Sequence, residues 1–245
     1  MSTQVTASIA LLTTGLHNMK KKAHNSATNL SMAMIPGSER RHVMQHPYVD
    51  TNESDPNQKI IYPVPNYVWK DKMPRPITRT DNPLNISLKG DGFIELSNGN
   101  FTKNGQLAIS REGVLETSWG VPLKNGEGGG DIVIDQNPSE LKIMRDGSIF
   151  DGSGKRIAKL SLVAFDDDNS LRMADNNEMT TTSDPGHQDF DTRTLQGYLS
   201  TSNIQTQDVL AEAKTDQTHA IHGSTMIKAL LKNDQTLPSL IVHAV

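Results

Sequence analysis

Residues 82–105 read NPLNISLKGDGFIELSNGNFTKNG, and this stretch decides the fold. It contains three turn dipeptides, Asp91-Gly92, Asn98-Gly99 and Asn104-Gly105, separated by short runs that include apolar residues. Asn-Gly and Asp-Gly pairs favour the tight turns that join antiparallel strands, because these residues accept positive φ. The spacing predicts short hairpins in an all-β sandwich or barrel-like sheet.

The same pattern continues towards residue 182. Further turn pairs follow at short intervals: Glu112-Gly113, Asn125-Gly126, Asp146-Gly147 and Asp151-Gly152. Between the turns we expect short strands, which include residues 93–96, 132–134, 141–144 and 157–165. The sequence therefore predicts a β-rich domain over residues 82–194.

Both ends of the chain carry narrow apolar stripes with helical spacing. The N-terminal stripe comprises Val5, Ile9, Leu12, Leu16, Met19, Ala23, Ala27 and Leu30, and the C-terminal stripe Val209, Ala213, Ala220, Ile227 and Leu230, interrupted by Asp216 and Gly223. A stripe this narrow needs a partner, which is either the other end of the chain or a neighbouring subunit. We predict helices over residues 4–33 and 203–233, the second capped by Ser202 or Asn203. The expected fold is α+β: N- and C-terminal helices paired as a coiled coil, with a mainly antiparallel β domain inserted between them.

Four segments are expected along the chain. Residues 1–37 form an N-terminal assembly helix that ends before Pro36-Gly37, because proline disfavours helical geometry at the preceding residue. Residues 38–81 form an extended arm or linker, in which six prolines interrupt every candidate helix and two apolar triplets, 60–62 and 67–69, are suited to docking. Residues 82–194 form the β-rich domain, and residues 195–245 form a C-terminal assembly helix and tail.

Composition excludes several classes of protein. The 245 residues have a net charge of −4, which argues against a general nucleic-acid binder. The chain has no cysteine, so disulfides, thiolate metal sites and cysteine nucleophiles are excluded. No apolar run approaches the roughly 20 residues of a membrane span, and none resembles a cleavable signal peptide. Charge is unevenly spread: residues 166–191 hold eight acidic residues and a single base, Arg172.

Catalytic and metal-binding motifs are weak. His42 and His46 have the spacing of a helical metal pair but lie in a proline-broken segment without His-Glu-x-x-His. The run at 166–169 resembles the start of a calcium loop but lacks its glycine and glutamate. Residues 152–155 resemble a phosphate loop but lack its first glycine and its Ser/Thr. We expect no catalytic, metal or cofactor site, although a carboxylate pair acting on glycans is left open.

Residues 82–93 resemble a motif that opens the β domain of the bacterial flagellar rod and hook proteins. In that family the pattern is Asn-Pro-Leu-Asp-hydrophobic-Ala-hydrophobic-x-Gly-x-Gly-Phe/Trp. Further matches follow in the family's order: residues 27–30 with Pro36-Gly37, then 101–105, 113–115, 120–123 and 197–204. The glycine-rich stretch 126–134 is most similar to the proximal-rod group of the family. Departures occur at both ends, where Met32, Ile35 and Ser38 replace the family's Asn, Thr and Phe, and 217–220 replace its usual C-terminal motif.

The resemblance implies a non-enzymatic structural subunit of the basal-body proximal rod, which assembles helically through its terminal helices and transmits torque across the periplasm. It implies self, other rod proteins and the flagellar export apparatus as partners, with export that needs no cleavable signal peptide. It implies no nucleic acid, membrane span, small-molecule ligand or cofactor. The expected assembly interface comprises Ile9, Leu12, Leu16, Met19, Asn29, Leu30, Asn203, Ile204, Val209, Leu210, Ala213, Ala220, Ile227 and Leu230. The expected structural turns contain Pro36, Gly37, Pro83, Gly90, Gly92, Gly105, Gly113, Gly120 and Gly197.

Three alternatives remain. A distal-rod or hook subunit belongs to the same family, but a longer insertion between the β strands would favour it. A cell-wall glycan enzyme needs two facing carboxylates. A free-standing β-domain adhesin does not need apolar stripes at both ends.

Overall fold

The computed structural model describes residues 2–51, 59–71, 73–135, 137–166, 171–174, 178–181 and 186–233. At residues 2–12, 45–51, 59–69, 227 and 230–233 the description is confined to the backbone. Two helices occur, one near each end, and a large, mainly antiparallel β region lies between them in the sequence. Neither helix, over the residues described, is long and apolar enough to cross a bilayer.

The helices are α1 (Ser2–Met32) and α2 (Thr206–Asn233), and a 3-10 turn spans Pro138–Glu140. The strands are β1 (Arg41–Thr51), β2 (Lys59–Lys70), β3 (Ile77–Arg79), β4 (Ile86–Lys89), β5 (Phe93–Glu95), β6 (Phe101–Thr102), β7 (Leu107–Ile109), β8 (Leu115–Thr117), β9 (Lys142–Ile143), β10 (Ser148–Phe150), β11 (Arg156–Lys159), β12 (Leu162–Ala164), β13 (Arg172–Met173), β14 (Met179–Thr180), β15 (His187–Gln188), β16 (Arg193–Gln196) and β17 (Tyr198–Ser200).

The chain divides into two compact units. The helix–hairpin unit comprises Met1–Ser31, Arg41–Asp71 and Gln205–Val245, and thus holds α1, β1, β2 and α2. The β unit comprises Met32–Arg40 and Lys72–Ile204 and holds the remaining strands. In the helix–hairpin unit, β1 and β2 form an antiparallel two-stranded ribbon within the segment expected to be an extended arm.

Short antiparallel strands build the β unit. Its largest described sheet has six strands in the order β13-β14-β6-β5-β12-β15, and a second has the order β11-β10-β9. The pairs β16-β4, β17-β3 and β7-β8 complete the described ladders. Positive-φ glycines close several of the turns: in Asn98-Gly99, Gly99 has φ 82° and its N–H donates to Leu96 O.

Two hydrophobic clusters fill the β unit, and β5 contributes to both. Ile94 belongs to the larger cluster, with fully buried residues such as Leu115 and Ile149. Phe93 belongs to the smaller cluster, where Phe165 lies edge-on to it at a centroid distance of 5.7 Å. Strand neighbours face opposite sides of a sheet, so adjacent residues of β5 enter different clusters.

The predicted coiled-coil pairing of the helices is wrong. Along α1, the predicted stripe residues Ala23, Ala27 and Leu30 are exposed. Among the described side chains of α1, the buried ones are Asn18, Ser26 and Asn29 and, at its last position, Met32, so this face is mainly polar. The Asn29 side chain binds the backbone of Arg41, so a strand rather than an apolar seam contacts this face of α1.

Over the side chains that the structure describes, the stripe of α2 forms no continuous seam either. Val209 is buried, but Leu210 is exposed, and Ala213 and Ala220 are only partly buried. The helices do touch locally, since a Cβ added at Gly223 would lie 3.7 Å from Leu16 Cδ2. Such a local contact is not the continuous knobs-into-holes packing that a coiled coil requires.

Candidate functional site

The two places where the chain joins the β unit lie together. The N–H of Gly37, in the turn after α1, donates to Ser200 O at the end of β17 (2.8 Å). Gly37 has φ 76°, and a Cβ at this position would lie 2.3 Å from Lys103 O. Glycine is therefore required by backbone conformation and by close approach. This turn fixes the position at which residues 32–40 cross the β unit.

A buried charge cluster holds Glu39, two residues further along that segment. Glu39 Oε1 accepts hydrogen bonds from Arg75 Nη1 (2.5 Å) and Lys103 Nζ (2.9 Å). All three side chains are about nine-tenths buried or more. Lys103 Nζ also lies 4.5 Å from the centroid of the Phe93 ring, a cation–π contact. Two cations thus share one carboxylate, which joins three separate parts of the β unit.

Asn203, close to the C-terminal end of the β unit, contacts the segment of residues 32–40 through its side chain. Its Oδ1 accepts from Arg40 N (2.7 Å), and its Nδ2 donates to Met73 O (3.2 Å). The prediction that Ser202 or Asn203 caps the last helix is wrong, because α2 begins at Thr206 and Val209 N donates to Gln205 O. Asn203 instead links two backbone segments that are distant in sequence.

Gln196 performs a similar role and was not identified from the sequence. Its Nε2 donates to Pro83 O and Leu141 O, both at 2.8 Å, and its Oε1 accepts from Ile143 N (3.0 Å). One amide therefore connects the Asn82-Pro83 motif to β9. The residue directly precedes the Gly197-Tyr198-Leu199 motif, but a glutamine beside a motif carries no sequence signal that distinguishes it.

The Gly90-Asp91-Gly92 turn packs against residues 189–192. Gly92 N donates to Thr192 Oγ1 (2.9 Å), and a Cβ at Gly92 would lie 2.1 Å from Asp189 Oδ2. Burial alone would raise the pKa of the Asp189 carboxyl. Hydrogen bonds from Thr192 and from the Asp191 N–H outweigh burial and lower this pKa below its ordinary value.

In the helix–hairpin unit, α1 clamps the start of β1. Asn29 Oδ1 accepts from Arg41 N (2.9 Å), and Asn29 Nδ2 donates to Arg41 O (2.8 Å). Asn25 Nδ2 donates to the same carbonyl at 2.8 Å. Asn29 is fully buried, so its two hydrogen bonds replace those it would make with water. A residue expected at an assembly interface thus makes contacts within its own chain.

A polar groove lies beside this clamp. It has a volume of about 430 Å³ and is lined from α1, β1 and α2 by residues that include Lys22, Arg41, His42, Glu212 and Asp216. Charges of both signs line it, which suits contact with a polar protein surface better than capture of a charged small molecule. Over the residues described, no group of three His, Asp or Glu residues is arranged to hold a metal ion.

The expected interface residues occupy varied positions. Asn29, Ile204 and Val209 are buried; Leu16, Met19, Asn203, Ala213 and Ala220 are partly buried; Leu30 and Leu210 are exposed. The side chains of Ile9, Leu12, Ile227 and Leu230 lie outside the described part of the structure. Their role in assembly stays a prediction.

The expected structural turns can be placed in the same way. Gly37, Gly90, Gly113, Gly120 and Gly197 have positive φ, Gly92 and Gly105 closely approach neighbouring atoms, and Pro36 and Pro83 are partly buried. Residues 152–155, weighed as a phosphate loop, form the hairpin turn between β10 and β11, where Gly154 N donates to Asp151 O. His42 lies 3.6 Å from Asp71, and the His46 side chain and residues 167–169 lie outside the described part.

Comparison with known proteins finds relatives for part of the chain. Residues 87–150 match the flagellar hook protein FlgE/F/G D1 domain, and this range lies entirely within the β unit. Over 134 residues, 53% of the chain, the sequence is 31% identical to the flagellar basal-body rod protein FlgF of Caulobacter vibrioides. The chain spans about half of that relative, 54% of its length. The resemblance to the flagellar rod and hook proteins is therefore confirmed for part of the chain, which is similar to a FlgE/F/G D1 domain and to a FlgF protein.

Proposed function

We propose that this chain is a structural, non-enzymatic subunit of the bacterial flagellar basal-body rod, in its proximal part. The observation that carries the proposal is the FlgF similarity together with a D1-type match inside a well-packed β unit. Further support comes from hydrogen bonds and ion pairs at Gly37, Glu39 and Asn203, which join segments of the β unit that are distant in sequence. A β unit linked in this way suits a protein that bears mechanical load.

In the proposed assembly, copies arrange helically, with contacts from residues 1–37 and 195–245, and residues 82–194 contact neighbouring subunits. The partners are other copies and other rod proteins, and the flagellar export apparatus delivers the chain. The rod spans the periplasm and transmits torque. A distal-rod or hook position is the second candidate, since the matching domain description covers FlgE and FlgG as well as FlgF.

The test is to delete the gene, complement it with a tagged copy and purify basal bodies for electron cryo-microscopy. Density for the β unit in the proximal rod, and loss of rod completion in the deletion strain, are the expected results. Density confined to the distal rod or hook would favour the second candidate. Absence from basal bodies with normal motility would reject both and return attention to a glycan enzyme or an adhesin.

A further inference from the structure

The chain contains three Asn-Gly pairs, at residues 98–99, 104–105 and 125–126, and the structure places them in different surroundings. An asparagine followed by glycine is prone to deamidation, because glycine has no Cβ to keep its backbone nitrogen away from the asparagine side chain. In a folded chain the reaction also requires that the turn can open and that water reaches it. Only the pair at 98–99 is exposed to solvent at both residues.

The other two pairs are held by the β unit. Asn104 is 3% exposed, and a Cβ on Gly105 would overlap Ile86 O, so the backbone there has little room to move. Gly126 N donates to Lys159 O of β11 (2.9 Å), which ties the third turn to a neighbouring strand. Both turns must break contacts with other strands before they can react, so both should be slow in the folded chain.

The Asn98-Gly99 turn is held mainly by bonds within the turn itself. Gly99 N donates to Leu96 O (3.0 Å), and Asn98 Oδ1 accepts from Asn100 N (3.0 Å). A Cβ on Gly99 would meet nothing within 4 Å. Opening an exposed hydrogen bond costs little, because water replaces the lost partner. Gly99 N can therefore approach Asn98 Cγ more easily than the corresponding atoms of the other two pairs can meet.

The amide group of Asn98 contacts a buried carboxylate. Glu178 is 4% exposed, and its Oε2 accepts from Asn98 Nδ2 (3.0 Å) and from Asn100 Nδ2 (2.7 Å). Within the part of the chain that the structure describes, Glu178 Oε1 has no hydrogen-bond partner. The two amides thus supply the hydrogen bonds that offset the cost of burying this carboxylate.

Glu178 also stands at the start of β14. Its carbonyl accepts from Ala174 N (2.9 Å), and the next residue, Met179, pairs with Phe101 of β6. Met179 and Phe101 both belong to the smaller hydrophobic cluster. The bonds between Glu178 and the turn at 98–100 therefore help to hold the β13–β14 pair on the six-stranded sheet.

We propose that Asn98 is a deamidation site and that its conversion loosens the β13–β14 pair. Gly99 N forms a bond to Asn98 Cγ, the Cγ–Nδ2 bond breaks, and Nδ2 leaves as ammonia with the proton that Gly99 N gives up. Water then opens the resulting cyclic imide by adding hydroxyl to one carbonyl carbon and a proton to the imide nitrogen. The product is aspartate or isoaspartate, water is the co-reactant, and nothing is oxidised or reduced.

The product carries an anion where the folded chain has a hydrogen-bond donor. A carboxylate at position 98 faces Glu178 Oε2, which accepts from the amide in the unmodified chain. Two carboxylates that share one site repel each other when both are ionised. Isoaspartate also lengthens the backbone of the turn, which disturbs the bond from Gly99 N to Leu96 O. Both products therefore weaken the attachment of β14.

Mass spectrometry of the ageing chain tests the site. Purified full-length chain is incubated in mildly alkaline buffer, with and without concentrated urea, and peptides that contain each Asn-Gly pair are followed for conversion of amide to acid. In the folded chain Asn98 should react first, and at least about tenfold faster than Asn104, because a buried turn is harder to open. In urea the three pairs should react at similar rates. The matched control Asn98→Gln keeps an amide and should lose the early reaction. A folded-state rate at Asn98 no greater than at Asn104 and Asn125 would overturn the proposal.

Substitutions test the structural consequence separately. Asn98→Asp introduces the product without ageing and should accelerate hydrogen exchange at the Ala174 amide by about fivefold or more, the change expected for loss of one net hydrogen bond. In a Glu178→Gln background the same substitution should have a smaller effect, because no buried anion faces it. Equal effects in the two backgrounds, or none in either, would overturn the link to Glu178. If Asn98→Asp does not fold, the aged parent chain gives the same measurement, and unchanged exchange at Ala174 after conversion would reject the proposal.

Discussion

The β unit and the helix–hairpin unit are stabilised in different ways. The β unit buries aliphatic side chains such as Ile94, Leu115 and Ile149 completely. In the helix–hairpin unit, the buried face of α1 is polar, and Leu210 and Ile221 of α2 are exposed. The β unit carries its own hydrophobic core. Among the described side chains of the helix–hairpin unit, the buried residues of α1 are polar and hydrogen-bonded, and apolar residues of α2 are open to contacts with other molecules. Substitutions in the two units should therefore change the free energy of unfolding by different amounts.

The largest effect is expected at the buried charge cluster. Glu39→Gln removes the carboxylate shared by Arg75 and Lys103 and leaves two buried cations uncompensated. Loss of one partner of a buried ion pair costs about 3–5 kcal/mol of unfolding free energy. Urea denaturation followed by far-UV circular dichroism measures it. The matched control is Asp81→Asn, which breaks the exposed pair with Arg79 and should leave stability unchanged. Equal effects of the two substitutions would contradict the structural role of the cluster.

A core truncation should come next. Leu115→Ala removes a fully buried side chain from the larger cluster and should destabilise the β unit by about 2–5 kcal/mol, because a cavity remains. Leu210→Ala on α2 is the control, and this exposed position should change stability by less than about 0.5 kcal/mol. Denaturation midpoints of the two variants give the comparison. A cost at Leu210 as large as at Leu115 would mean that α2 has a core of its own.

A smaller and local effect is expected at the clamp on β1. Asn29→Ala removes the side chain that accepts from Arg41 N and donates to Arg41 O, while Asn25 still donates to that carbonyl, and should cost about 1–3 kcal/mol of unfolding free energy. Hydrogen exchange at the Arg41 amide should accelerate, while exchange of the β-unit core stays unchanged. Thr28→Ala is the neighbouring control, since that hydroxyl bonds only to His24 O of its own helix. Unchanged exchange at Arg41 would show that the clamp does not hold the strand.

The turns made the β region predictable, since Asn-Gly and Asp-Gly pairs encode backbone conformation locally. The same local reasoning gave wrong strand bounds where contacts between residues distant in sequence determine the structure. Residues 157–165 were expected to form one strand, but they form β11 and β12. The strand is interrupted at Leu160 and Ser161, because Leu160 N donates to Gly147 O and Ser161 N donates to Lys124 O. No local sequence pattern indicates those hydrogen-bond partners.

The pairing of residues 41–70 was not predicted either. The prolines were taken to interrupt every candidate helix in an extended arm, and this interpretation did not indicate that Pro47 and Pro63 are paired in a ribbon. A missing N–H costs little where it would point away from the partner strand. The roles of Glu39, Asn203 and Gln196 were equally hidden, because each bonds to groups far along the chain. By contrast, the positive φ of turn glycines such as Gly113 and Gly120 is a local property of the backbone.

The smallest expected effect is a pH-dependent change in the free energy of unfolding. The pKa of Asp189, and likewise that of Asp146, is lowered in the fold because hydrogen bonds outweigh the opposing effect of burial. A carboxyl with a lowered pKa stabilises the fold when ionised, so its contribution is present above the ordinary value of 3.8 and is lost as pH falls through the folded pKa. Asp189→Asn should therefore reduce stability at neutral pH and flatten its decline in acid. Asp191→Asn, at an exposed neighbour, is the control. Urea denaturation at a series of pH values measures both. If the stability of Asp189→Asn falls as steeply in acid as that of the parent chain, other carboxyl groups cause the loss of stability. The contact between Asp189 and the Gly92 turn would then not be one of those that stabilise the β unit.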